Sequence, residues 1–109
     1  MDVVDLWYAL WNSRTNLVKE VEGHRIVVHA DFGGDEPVFV VGCESCRRPG
    51  KAYTPIAKVS VYRVDSVERL FEIIENAIQA HLRGSQQSVV EEVSRIAQRY
   101  GYTIQRAPL

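Results

Sequence analysis

Cys43 and Cys46, with Glu44 and Ser45 between them, are the residues whose type and spacing come closest to a recognisable chemistry. Two thiolates separated by two residues can grip one zinc ion, and the same spacing serves redox dithiols. The complement of ligands is missing, because the sequence holds no second cysteine pair. His24 and His29 are offered as further ligands, but five positions apart on a strand they point to opposite faces. Two chains sharing a four-cysteine site is another route. A thioredoxin-like dithiol sits where a strand meets a helix, whereas this pair ends a strand and opens a loop turning at Pro49-Gly50. The plain expectation is a disulfide, or two thiols bracing the turn, with no metal and no cofactor; a zinc or redox role is kept as an alternative.

The loop itself is basic. Residues 43–63 hold Arg47, Arg48, Lys51, Lys58 and Arg63 against Glu44 alone, five cations less one anion, or +4. The whole chain is −1, so the remainder is −5, and any pull on a polyanion is local rather than global. Tyr53 and Tyr62 flank the cations. Charge that tracks a phosphate backbone and rings that stack on bases are what single-stranded nucleic acid needs. The expected interface is Arg25, His29, Arg47, Arg48, Lys51, Lys58, Tyr62 and Tyr53, spread over a basic hairpin and one open sheet face. Tyr53 and Tyr62 are nine apart and fall on opposite faces of a regular strand, and the strand pattern favours Tyr62. The bland reading is a solvated hairpin whose edge lysines deter aggregation.

Trp7 and Trp11 share one face of the first helix. Such a pair is ordinarily core, but aromatics are also enriched at interface centres, so homodimerisation through this helix or an edge strand is the alternative function. No catalytic set emerges. Asp31, Asp35 and Glu36 lack the alternating oxygens of a calcium loop, and no phosphate-binding glycine motif is present. A Cys43–His29 nucleophile pair has nothing to supply an oxyanion hole, and His81 suits a helix C-terminus. The chain is read as a non-enzyme.

The elements that must position these residues follow from periodicity. Asp2–Glu22 reads as a helix, with a stretch at 12–16 poor in helix formers that invites a break. His24–Phe32 alternates apolar and polar as a half-buried strand; Val38–Cys43 is apolar on both faces, hence central. Ala52–Val64 is a third strand in which Pro55 marks an edge or a bulge. Asp65 caps a helix that Gly84 ends, Ser88 caps another running to Tyr100, and Tyr102–Gln105 can return as a short strand. The fold class is α+β, two-layered, with an antiparallel three- or four-stranded sheet, helices mainly on one face, and the order α-β-β-β-α-α(-β). At 109 residues, 46% apolar and 25% charged, the chain is expected to be one domain, 1–109. No apolar run reaches membrane-helix length, and the acidic start lacks a signal peptide's basic region, so a cytoplasmic, membrane-free protein is expected.

Overall fold

Asp2 sets the first boundary. Its carboxylate accepts the Asp5 N–H at 2.8 Å, and the Asp5 side chain reaches back to the Asp2 N–H at 3.4 Å, a reciprocal cap that starts helix α1, Val3–Ser13. A computed structural model describes residues 1–105, with the side chains of 85–88 outside that description. The helix expected to reach Glu22 ends at Arg14, which sits in the left-handed region with φ 55° and hands its N–H to the Leu10 carbonyl. The weak helix formers at 12–16 are the cause: Ser13 and Asn16 compete for local hydrogen bonds in other conformations, and Ser13 Oγ donates to the Ala9 carbonyl.

Leu17–Val21 is therefore strand β1, not helix. The turn at Glu22-Gly23, with φ of 51° and 81°, has the twist that two-residue hairpins require. β2 is His24–Gly33, β3 Glu36–Cys43 and β4 Thr54–Ser60. They pair antiparallel in the order β1-β2-β3-β4. The α+β class and the antiparallel sheet are as expected. The fourth strand comes from Leu17–Val21; Tyr102–Gln105 has no regular structure.

β3 is the middle of the core. Every residue from Val38 to Cys43 is buried, and because alternate residues face opposite ways, both faces of the strand are covered. Ile26 and Val28 stand beside Cys43 and Val41 on one face; on the other Val38 and Val40 lie in the rows of Asp31 and His29. Helix α1 lies against β2 and β3 and sends Val3, Trp7 and Leu10 inward.

β4 is shorter than the expected Ala52–Val64. It is an edge strand, its register shifts between Val41 and Gly42 beside Pro55, and it gives way to a 3-10 turn at Val61–Arg63.

One helix, α2, runs Val67–Arg99 where two were expected. Ser66 rather than Asp65 caps it, its Oγ accepting the Arg69 N–H at 3.1 Å. Gly84 does not end it. A glycine inside a helix costs only about 1 kcal/mol, and a buried stripe of Leu70, Ile74, Ile78 and Leu82 precedes it. The backbone at Ser88 is helical, while its capping side chain lies outside the described residues. The chain divides into two compact units, Met1–Ile78 and Gln79–Leu109. The sheet, α1 and the cysteine loop belong to the first. Among the described residues no helix is long and apolar enough to cross a membrane.

Trp7 is 2% exposed, and its indole N–H donates to the Val38 carbonyl at 2.9 Å. Trp7→Phe orphans that buried carbonyl, which costs about 1–3 kcal/mol. Urea unfolding should show a lower midpoint at unchanged slope; a midpoint equal to that of the parent would mean the bond does not anchor the helix.

Candidate functional site

The loop between β3 and β4 is tied down at its base and free at its tip. Glu44 N–H donates to the Arg25 carbonyl at 2.9 Å, and Arg25 N–H donates to Ser45 Oγ at 2.9 Å. Thr54 Oγ1 donates to the Cys46 carbonyl at 2.8 Å, closing the loop from the far side. Cys43 and Cys46 are disulfide-bonded with Cα atoms 5.2 Å apart, and the Cys46 N–H points at Cys43 Sγ, 3.1 Å away. The brace expected of the cysteines is present.

Beyond it, Arg47, Arg48 and Lys51 are exposed. Among the described residues none of the three has an ion-pair partner. Lys51 N–H donates to the Arg48 carbonyl at 3.0 Å, and Gly50 turns with φ 81°, so the three cations share one tight bend. Arg25 is different. Its Nε meets Glu44 Oε2 at 2.5 Å, which cancels its charge locally.

The other expected residues are only partly gathered. His29 and Lys58 do share a face, since both pair with Val40. Val40 between them is 1% exposed, so no open platform lies there. The reason is the apolar character of β3, which demands cover on this face too. Tyr62 stands in the 3-10 turn, not on β4, and is 72% exposed. It follows the end of β4 opposite the loop, about 20 Å from Thr54 by strand rise, so it cannot stack beside the loop cations.

Tyr53 takes that place. A Cβ on Gly42 would meet the Tyr53 ring at 2.5 Å, so the ring lies directly on the glycine backbone. Its edge meets the His29 ring with centroids 5.4 Å apart. His29 also faces Asp31, Nε2 to Oδ2 3.8 Å. Sequence reasoning chose Tyr62 over Tyr53. The overlooked signal was Gly42 within a run of Val and Phe, since a strand glycine marks a close approach.

Tyr53 and His29 line a cleft of about 730 Å3, together with Leu10, Trp11, Arg14, Thr15, Asn16, Val27, Glu44 and Ala52 among others. Glu44 and Ala52 are the two flanks of the basic loop, so the cleft opens beside it. Trp11 stacks on Trp7 at 5.3 Å and abuts Phe32 at 5.1 Å, yet remains 44% exposed. Trp11, expected only in the core or at a dimer interface, and Arg14 were not anticipated beside His29, because their approach to it depends on where α1 crosses β2. The cleft size falls in the range of small-ligand sites. His24, by contrast, leaves this cleft and joins the cysteines, with Nδ1 3.5 Å from Cys46 Sγ. The two histidines diverge, as their spacing implied.

Gly42→Ala should force the Tyr53 ring from its seat and reshape the cleft. The expected result is a loss of about 1–3 kcal/mol from overpacking and shifted Tyr53 and His29 ring resonances; unshifted resonances would contradict the placement of the ring. Against known proteins the chain matches no family model, no curated protein and no solved structure, so its own geometry is the ground for any functional reading.

Proposed function

We propose that the chain is a non-catalytic binding module for single-stranded nucleic acid, DNA or RNA. The observation that supports this is the cleft holding Trp11, Tyr53 and His29, lined also by Glu44 and Ala52, the two ends of the loop that carries Arg47, Arg48 and Lys51. The loop cations hold consecutive phosphates. A base enters the cleft and meets aromatic rings, as in other single-strand sites where stacking supplies sequence-tolerant affinity. Lys58, exposed in the His29 row, extends the phosphate track. Arg25 serves the loop through Glu44 rather than the ligand, and Tyr62 has no part in stacking. The reading differs from an open-sheet binder: the base is held in a cleft between the end of α1 and Val27 and His29 of β2, beside the loop.

Fluorescence anisotropy with labelled oligo(dT) and oligo(rU) tests it. Micromolar-range binding is expected at low salt. The three loop contacts contribute about −2 to the slope of log K against log salt. Changing Arg47, Arg48 and Lys51 together to Ala should remove that contribution. Tyr53→Leu should cost about 1–3 kcal/mol of affinity with the slope retained. Binding unaffected by the triple substitution, or no binding at low salt, sinks the proposal.

A second reading, self-assembly, has its own support in the second unit. Val89, Val93, Ile96 and Tyr100 recur at helical spacing and are 57%, 48%, 49% and 77% exposed, an apolar stripe of the kind that packs helix on helix. Glu91 and Glu92 lie N-terminal to Arg95 and Arg99, so an antiparallel second copy sets acid against base along both rims. Sedimentation should then show a dimer that Val93→Glu dissociates. A parent protein that stays monomeric up to high micromolar concentration removes this reading.

A further inference from the structure

The loop's base carries a second arrangement that the nucleic-acid reading does not use. The ligand atoms of His24, Cys43 and Cys46 lie within 4.8 Å of one another. β2 brings His24 there because its register sets Ile26 opposite Cys43, which places the start of β2 beside the end of β3. Cys43 is fully buried, and Cys46 and His24 are half-buried, so the group is shielded but reachable from one side.

We infer that, once reduced, Cys43 and Cys46 together with His24 form a zinc-binding site, with the fourth position held by solvent. Three features support it. A tetrahedral ion with its sulfur ligand at about 2.3 Å and its nitrogen ligand at about 2.0–2.1 Å keeps those two atoms about 3.5 Å apart. His24 Nδ1 and Cys46 Sγ have that separation, 3.5 Å. The Cys46 N–H directed at Cys43 Sγ, 3.1 Å, stabilises a thiolate there, as hydrogen bonds to ligand sulfurs do in metal sites. Finally, the loop is fixed from both sides by bonds that do not involve sulfur, those of Arg25 to Ser45 and Thr54 to Cys46. The cysteine backbones therefore keep their places when the sulfurs separate.

The chemistry balances with a dithiol as reductant. It supplies two electrons and two protons, becoming a disulfide itself, while the Cys43–Cys46 bond breaks to give two thiols. Zinc replaces the two thiol protons, which pass to solvent, and accepts the Nδ1 lone pair of neutral His24. The site is thus exclusive with the disulfide: the protein holds either the bond or the metal. It stands independently of the nucleic-acid reading, since none of its ligands lines the cleft.

The full chain, reduced with a phosphine under anaerobic conditions, should be titrated with Zn2+ against a chromophoric chelator and, separately, with Co2+. The expected result is one equivalent per chain, with a thiolate-to-cobalt charge-transfer band and the intense d–d absorption of a tetrahedral site. The oxidised protein should take up none. His24→Ala should weaken zinc binding by more than the about 10–100-fold that loss of a supporting residue causes, while His81→Ala leaves it unchanged. No uptake by the reduced parent overturns the inference without recourse to any variant. So does half an equivalent per chain, which signifies an ion shared between two copies, or undiminished affinity in a folded His24→Ala protein.

Discussion

A strand that is apolar on both sides must be covered on both sides, and the organisation of the first unit follows from that demand. Val38–Cys43 presents no polar side chain in any of its positions, and burying each of its larger side chains contributes on the order of 1.5–3 kcal/mol. One consequence is the aromatic anchor of α1. Trp7 fills part of the cover, and because an indole N–H needs a partner when buried, it takes the Val38 carbonyl. Another is the seat of Tyr53. With no side chain at Gly42, the phenol ring closes the last gap of the strand's face directly on the backbone. Cover for β3 therefore closes the middle of the sheet, and the cysteine turn and the basic loop lie at the end where the β3–β4 ladder stops.

That end is built around the cysteine turn. Two separate arrangements meet there without sharing side chains. Outward lie Arg47, Arg48 and Lys51 on a bend whose tip has no ion-pair partner among the described residues; inward lie Cys43, Cys46 and His24. They share backbone from Cys43 to Arg47, and the bonds of Arg25 to Ser45 and Thr54 to Cys46 hold that backbone without involving sulfur. The Arg25–Glu44 pair at 2.5 Å is about half-exposed and of small energetic weight. Its effect is local neutralisation, which leaves the unpaired positive charge of the loop at its tip.

Much of the fold was legible because its signals are local. The alternation of β2 and the unbroken apolar run of β3 each depend on a few neighbouring residues. So does the charge of the loop. The misread elements have the same cause in reverse. Leu17, Val18 and Val21 satisfy a helical period as well as a strand's, and only pairing with Val28, Val27 and His24 decides between them. Gly84 carries a stop signal whose cost of about 1 kcal/mol is too small to break a helix with a buried stripe before it.

The sequence by itself determined which residues are apolar, which are charged and where the chain must turn, since periodicity and backbone sterics act within a few residues. Only the tertiary structure decided which side chains meet. Tyr53 rather than Tyr62 joins His29 because a register shift beside Pro55 and the bareness of Gly42 set the ring there. His24 joins Cys46 because antiparallel register places the first residues of β2 against the last of β3. Register is a long-range property: it is fixed by how whole faces bury against each other, and no short stretch of sequence contains it.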